Sequence, residues 1–154
     1  MQLGDFLDFD AISTRLSGGN KRSLLQQLAN LAAQRLGMDS ATILASLAER
    51  EQLGSTGLGH GVAIPHGKID GLTRIYGLFT RLSEPIDYKA IDGRPVDLVF
   101  LLLSPPDAGA EHLKALATVS RITRHVPTLE KMRGARSRDA LAAVLMGADE
   151  RDAA

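Results

Sequence analysis

The residue best placed for chemistry in this sequence is His66, which follows Pro65 directly and precedes Gly67. The apolar residues 62–64 come just before it and predict a buried strand of three or four residues. Proline cannot donate a ladder hydrogen bond, so we expect this strand to end at Pro65. An imidazole presented there, with little bulk on either side, indicates a nucleophile that must meet another protein.

The glycine-rich residues 54–68 invite comparison with two nucleotide-binding patterns. Five residues separate Gly61 from Gly67 instead of the four of a P-loop, and Ile69 stands where a magnesium-binding hydroxyl is needed. The glycines at 57, 59 and 61 do not have the spacing of a dinucleotide-binding loop, and no long strand precedes them. Both patterns therefore fit poorly.

A metal site is the third alternative for the same stretch. His60 and His66 are both potential ligands, but such a site would need further ligands at suitable spacing. The chain contains no cysteine and no H-E-x-x-H motif. We therefore expect neither a metal nor any other cofactor.

Residues 53–68 spell Leu-Gly-Ser-Thr-Gly-Leu-Gly-His-Gly-Val-Ala-Ile-Pro-His-Gly-Lys. This motif strongly resembles the enzyme IIA component of the phosphoenolpyruvate-dependent phosphotransferase system. The nearest likeness is to its nitrogen-regulatory branch, a relative of the fructose and mannitol IIA domains, and it covers about residues 10–146. The resemblance implies that His66 accepts a phosphoryl group from a small HPr-like carrier protein.

The resemblance also implies two residues that support His66. Arg50 lies four residues before Gly54, where a cation would in any case suit a helix C-terminus. An arginine at this offset lines the phosphorylation site in the family, and its planar fork suits phosphate oxygens. By itself His112 would be interpreted as a solvated surface residue, but family members carry a second histidine before a leucine here, packed beside the first.

Three further residues could support the phosphoryl group. Ser55 and Thr56 could offer hydroxyl or backbone donors, although they could equally be turn formers. Gly67 is the third, since glycine lets a ligand approach the backbone closely. Of the two remaining histidines, His60 is interpreted as incidental and His125 as a surface residue.

Two function classes remain open, and both use His66. In the first, the chain is a regulator whose phosphorylation state controls binding to target proteins such as transporter subunits or sensor kinases. In the second, it passes phosphate to a sugar-specific IIB domain for transport. The likeness to the nitrogen-regulatory branch favours the first.

Composition limits the partners and the compartment. Eighteen basic and eighteen acidic residues give zero formal net charge, which argues against nucleic acid or anionic membrane as a partner. The longest apolar run, residues 98–103, is far too short to span a membrane. The N-terminal residues have no basic region before an apolar block, so we do not expect them to be a signal peptide. The absence of cysteine suits a reducing compartment, so we expect a cytoplasmic protein.

The C-terminal third is locally basic. A solvated face is the default interpretation, and a docking patch for an acidic partner is the alternative. The cations concerned, which stand against Glu130, are Arg121, Arg124, Lys131, Arg133, Arg136 and Arg138.

Hydrophobic periodicity predicts a single α/β domain over residues 1–154, with a mixed sheet covered by helices; the resemblance implies the mannitol-type IIA fold. We expect Asn20 to cap the first helix, and Gly37 and Gly147 to end the first and last. Residues 1–9 are predicted to be a solvated lead-in. The expected strands are 11–16 (an edge), 62–64, 74–82, a short one near 86–88, and 96–103. The expected helices are 21–36, 40–52, 110–124, a short one beginning near Pro127, and 137–146.

Overall fold

The computed structural model describes residues 1–153, which form one mixed sheet with helices on both faces. The strands are β1 Ser13–Leu16, β2 Gly57–Gly59, β3 Val62–Ala63, β4 His66–Lys68, β5 Tyr76–Ile86 and β6 Val96–Ser104. The helices are α1 Lys21–Leu36, α2 Ser40–Gln52, α3 Gly109–Thr123, α4 Val126–Gly134 and α5 Arg138–Ala153. The strand order is β1-β5-β6-β3-β2, and β4 also pairs with β6. The predicted α/β class is confirmed.

Strand β6 is the centre of the sheet and is buried on both faces, as its continuous apolar run predicts. Because side chains alternate along a strand, Leu98, Phe100 and Leu102 enter the core under α3, α4 and α5. The intervening residues, Val99, Leu101 and Leu103, enter a second core under α1 and α2. The sheet is thus the middle layer of three.

The two N-terminal helices have the bounds expected from the sequence. The Asn20 side chain accepts a hydrogen bond from the amide of Ser23 and so caps α1. Gly37 ends the helix in the left-handed conformation, with φ 66°, which glycine adopts without the cost of a Cβ atom. Strand β1 is an edge strand, also as predicted.

The lead-in predicted for residues 1–9 is wrong. Leu3, Phe6 and Leu7 are buried in the core beneath α5. Burial of these three apolar side chains is favourable, and Asp5 between them stays exposed to solvent. Asp149 of α5 accepts hydrogen bonds from the amides of Leu3 and Gly4 at 2.6 and 3.0 Å. The segment is therefore part of the folded domain.

The predicted end of the last helix is also wrong. Helix α5 continues through Gly147 to Ala153, since Leu145 and Ala148 pack into the core on either side of the glycine. A glycine inside a helix costs only about 1 kcal/mol relative to alanine, which this packing offsets.

The strand predictions need three corrections. Strand β5 is a single strand to Ile86, with a register irregularity in place of the separate strand expected near residues 86–88. Pro65 interrupts the strand without ending it: β3 and β4 pair in turn with successive parts of β6, and pairing resumes at His66. Strands β2 and β4 were not predicted, because segments of three residues show no periodicity.

Three of the six cations named in the C-terminal third are paired with carboxylates within the molecule. Arg121 pairs with Asp152 at 3.0 Å, and Arg133 pairs with Asp97 at 2.8 Å. Arg138 lies between Asp10 and Asp139. These pairs favour the solvated face over a docking patch. Along the described chain, no helix is both long and apolar enough to cross a membrane.

Candidate functional site

His66 is held at the start of β4 with one ring nitrogen fixed. Its pairing opposite Leu102 of β6 places the backbone, and the His66 Nδ1 atom lies 2.7 Å from the Ile64 carbonyl oxygen. A carbonyl only accepts hydrogen bonds, so Nδ1 carries the proton and donates it. The other nitrogen, Nε2, is left unprotonated and carries a lone pair. That is the nucleophilic form of a neutral imidazole.

Arg50, in the last turn of α2, reaches the free nitrogen of His66. Its Nε–H donates to His66 Nε2 at 3.2 Å, and its Nη1 donates to the Gly54 carbonyl at 2.9 Å. Burial, opposed by the Ile64 hydrogen bond and reinforced by the Arg50 cation, lowers the pKa of His66. The imidazole is therefore neutral at neutral pH.

His112 lies beside His66, with the two ring centroids 5.5 Å apart. Only 8% of His112 is exposed, so the default interpretation of a solvated surface residue is wrong. Burial, reinforced by the charges of His66 and Lys68, lowers the pKa of His112 to about 4. This ring is also neutral at neutral pH.

The Ser104 hydroxyl is the hydrogen-bond partner of His112 Nδ1. Its Oγ lies 2.6 Å from His112 Nδ1, and it makes no other side-chain hydrogen bond among the described residues. If the hydroxyl donates to Nδ1, both polar atoms are used and His112 carries its proton on Nε2. The two histidines then have opposite tautomers. One presents a lone pair, and the other presents a donor.

Comparisons with known proteins identify the family of this chain. Residues 5–147 match the family model described as "Phosphoenolpyruvate-dependent sugar phosphotransferase system, EIIA 2". The chain belongs to this family. It is 46% identical to a nitrogen regulatory protein of Bradyrhizobium diazoefficiens over 145 residues, 94% of this chain and 95% of that protein.

Solved structures agree with the fold of this EIIA chain. The nitrogen regulatory protein IIA-Ntr from Neisseria meningitidis superposes with a TM-score of 0.87 at 35% identity, covering 93% of this chain and 98% of that one. The mannitol IIA of Escherichia coli superposes at 0.73 with 15% identity, covering 90% and 97%. The second likeness shows the fold alone, and it is the mannitol-type IIA fold expected from the sequence.

The structure of this EIIA protein places the other predicted site residues differently. The Thr56 hydroxyl is buried against Glu51 and Tyr88, while the Ser55 hydroxyl accepts from the amide of Gly57. Both hydroxyls are therefore used within the molecule. The structure thus brings His66, Arg50 and His112 together, and it leaves Ser55 and Thr56 in the adjoining loop.

Gly67 lies where helix α2 packs against strand β4. A Cβ atom there would overlap the Ser46 side chain of α2, whose hydroxyl donates to the Lys68 carbonyl at 3.0 Å. The glycine thus allows α2 to pack against β4, which brings the end of α2 to His66.

Sequence reasoning missed two residues of the site. Ser104 gives no signal, since a serine after a strand is ordinary. Glu51 does give one: an acidic residue in the last turn of a helix opposes the helix dipole, so it needs a compensating partner. Lys21 supplies it at 2.9 Å.

The apolar residues before His66 lie inside the molecule, as the sequence predicts. Val62 and Ile64 are buried, since both face the core beneath α3 to α5. The apolar side chains that remain exposed close to site residues in the chain are Leu53, Leu58 and Leu113. Ile91, whose amide donates to the Gly57 carbonyl, is also exposed.

Proposed function

We propose that this protein is a phosphocarrier in which His66 Nε2 accepts a phosphoryl group from an HPr-like carrier of the phosphoenolpyruvate-dependent phosphotransferase system. The observation that carries the proposal is the fixed tautomer: the Ile64 carbonyl holds the proton on Nδ1, and Arg50 donates to Nε2. Membership of the EIIA family supports the direction of transfer.

The transfer step moves one phosphoryl group between two imidazoles. The lone pair of His66 Nε2 forms a bond to phosphorus as the phosphorus–nitrogen bond of the carrier's phosphohistidine breaks. The electron pair of that bond returns to the carrier's ring nitrogen. The product ring of His66 keeps its Nδ1 proton, and the Ile64 carbonyl stabilises the positive charge that this ring acquires. No metal, nucleotide or external proton acceptor is needed.

Arg50 and His112 stabilise the phosphoryl group in transit. Phosphoryl transfer depends mainly on positioning and on balancing the charge of the phosphoryl oxygens. The guanidinium already lies against Nε2, so a small rotation would direct its donors to those oxygens. The Nε2–H of His112 would supply a neutral donor from the other side.

We further propose that the protein acts mainly as a regulator through phosphorylation-dependent binding to transporter subunits or sensor kinases. The nitrogen regulatory name of its relatives supports this role. The second candidate is transfer of phosphate to a sugar-specific IIB domain, which the sugar phosphotransferase description of the family supports.

The direct test is labelling with phosphoenolpyruvate, enzyme I and the HPr-like carrier. The wild type should gain one acid-labile, alkali-stable phosphoryl group, and nitrogen NMR should place it on His66 Nε2. H66A should gain none and remain folded. H60N is the matched control, since His60 is exposed in the same glycine-rich stretch and asparagine tolerates its positive φ of 57°. Stoichiometric labelling of H66A would refute the proposal.

A further inference from the structure

Glu51 is a buried carboxylate beside the site that the proposed transfer does not use. Its side chain is 7% exposed, yet both oxygens are fully engaged. Lys21 Nζ and the Tyr88 hydroxyl donate to it, each at 2.9 Å. The hydroxyl of Thr56 and the Thr56 amide, the latter at 3.3 Å, donate as well. Four donors thus converge on one carboxylate.

The contacts of Glu51 lead to His66 by two hydrogen bonds through the backbone of Ile64. Thr56 is held by Glu51, and the Thr56 carbonyl accepts from the Ile64 amide at 3.0 Å. The Ile64 carbonyl in turn accepts from His66 Nδ1 at 2.7 Å. A shift of Thr56 would therefore move the acceptor that sets the tautomer of His66.

Glu51 also fixes the turn that carries the other contact to His66. The Glu51 carbonyl accepts from the Gly54 amide at 3.2 Å, and Arg50 Nη1 donates to the Gly54 carbonyl. The Glu51 carbonyl thus holds the turn at Gly54, and the Glu51 carboxylate holds Thr56, which follows the turn. Both hydrogen bonds to the His66 ring depend on this turn.

A carboxylate is a costly choice for a purely structural contact. Burial opposes its charge, and the last turn of a helix disfavours an anion. Burial alone would raise the pKa of Glu51, but the hydrogen bonds from Thr56, Lys21 and Tyr88 outweigh it and lower that pKa. A neutral amide has one acceptor oxygen and could not accept on both sides.

We propose that Glu51 is a positioning residue for His66: its carboxylate holds Thr56, so that the Ile64 carbonyl keeps the proton on His66 Nδ1 and Arg50 stays aligned with Nε2. The role in transfer rests on the proposed function, whereas the effect on the His66 tautomer does not. The two can therefore be tested separately.

The test uses two readouts on the full-length protein. The first is imidazole nitrogen NMR, which reports the fraction of His66 protonated on Nδ1 and needs no phosphoryl donor. The second is transfer from the phosphorylated HPr-like carrier, with the saturating rate separated from the half-saturating carrier concentration. Thermal unfolding of every variant measures its folded fraction.

For E51Q we expect at least about a tenfold lower saturating rate, a half-saturating concentration within about twofold of wild type, and a mixture of His66 tautomers. T56V should lose part of the rate in the same way, and T56S should recover it. E49Q is the matched control: Glu49 is exposed on the same helix, and both readouts should stay at wild-type values.

The outcomes separate the two proposals. A wild-type tautomer in folded E51Q would overturn the positioning role, as would a saturating rate equal to that of wild type. If E51Q does not fold, T56V against T56S decides by the same criteria. If the wild type accepts no phosphate, the proposed function fails, and the tautomer of E51Q still decides the role of Glu51.

Discussion

The two site histidines differ in what holds them, and this difference gives them different chemistry. The Ile64 carbonyl accepts a hydrogen bond from Nδ1 of His66, whereas the Ser104 hydroxyl is hydrogen-bonded to Nδ1 of His112. The first contact exposes a lone pair, and the second, with the hydroxyl as donor, exposes an N–H group. Because burial lowers the pKa of both rings, neither repels the Arg50 cation. Nucleophile and donor thus coexist in one small site.

Removing either supporting group should slow transfer without preventing carrier binding. A single preorganised donor at a demanding site contributes about 3–4 kcal/mol of transition-state stabilisation, and a partly exposed one contributes less. We therefore expect R50A and H112A each to lower the saturating transfer rate by roughly 10- to 100-fold. Rapid-quench kinetics with phosphorylated carrier measure this rate. Wild-type rates in both variants would remove these residues from the mechanism.

The lowered pKa of His112 predicts a pH dependence of stability. The unfolded chain binds a proton on this histidine below about pH 6.5, while the folded protein resists it down to about pH 4. The unfolded state therefore binds more protons than the folded state between these pH values. The contribution of His112 to the free energy of unfolding is complete above pH 6.5 and is lost as the pH falls toward 4.

Urea unfolding at several pH values tests this expectation with H112Q, which cannot titrate. The difference in unfolding free energy between wild type and H112Q should shift in favour of the variant as the pH falls from 7 to 4.5. Parallel curves for the two proteins would mean that His112 titrates alike in both states. The carboxylates contribute equally to the two proteins, so their effect cancels in the difference between the two unfolding free energies.

The packing of α2 on β4 brings Arg50 to His66, and it depends on Gly67. We expect G67A to lower the free energy of unfolding by about 1–3 kcal/mol, because its Cβ would overlap Ser46. Transfer should slow as α2 moves away. G147A is the contrasting control: nothing lies within 4 Å of a Cβ there, so it should stabilise α5 by about 0.5–1 kcal/mol. Denaturant melts compare them, and equal stabilities would contradict the close packing.

The elements that the sequence predicts well have local end signals. Helix α1 begins at a capping asparagine and ends at a glycine with positive φ, so both ends are encoded in single residues. The end of α5 is not encoded in a single residue, because burial of Leu145 and Ala148 outweighs the helix-breaking tendency of Gly147. Strand β4 forms beside the long strand β6, and β2 pairs with the two-residue strand β3, so both depend on tertiary pairing rather than on a local signal.

The same distinction applies to the candidate site. His66 could be singled out from its motif, and Arg50 and His112 from their offsets within the family pattern. Ser104 and Tyr88 could not, because they reach the site through tertiary contacts that no spacing encodes. A resemblance thus points to the candidate reacting groups, whereas the residues that contact them require the structure.

Taken as a whole, the molecule offers partners little net charge. The chain has zero formal charge, and Arg121, Arg133 and Arg138 of its basic third are paired internally. Its exposed apolar side chains include Leu53 and Ile91, 81% and 76% exposed. Leu53 adjoins the turn bonded to Arg50, and the Ile91 amide donates to the Gly57 carbonyl. A partner that covers the Gly54 turn would therefore meet Leu53, and we call Leu53 and Ile91 together the apolar rim.

The last prediction follows from that rim. Phosphorylation adds a charge of about −1.5 to −2, a value taken from serine phosphate. A partner that docks on Leu53 and Ile91 would have to bury this charge, which is unfavourable unless it supplies cations of its own. We therefore expect regulatory partners to bind the unphosphorylated form preferentially.

Affinity capture from extract tests this with unphosphorylated protein, phosphorylated protein and H66E as baits. Partners of the regulatory class should be retained by the first bait and depleted at least about tenfold on the other two, which corresponds to a binding difference of about 1.4 kcal/mol. L53D should lose the same partners without changing the charge of His66, which separates loss of the rim from gain of phosphate. If every partner ignored the phosphorylation state while phosphate passed efficiently from His66 to a sugar-specific IIB domain, transport would replace regulation as the function. An apolar rim around a transferable charge would then serve phosphate delivery, and binding would be strongest for the phosphorylated form.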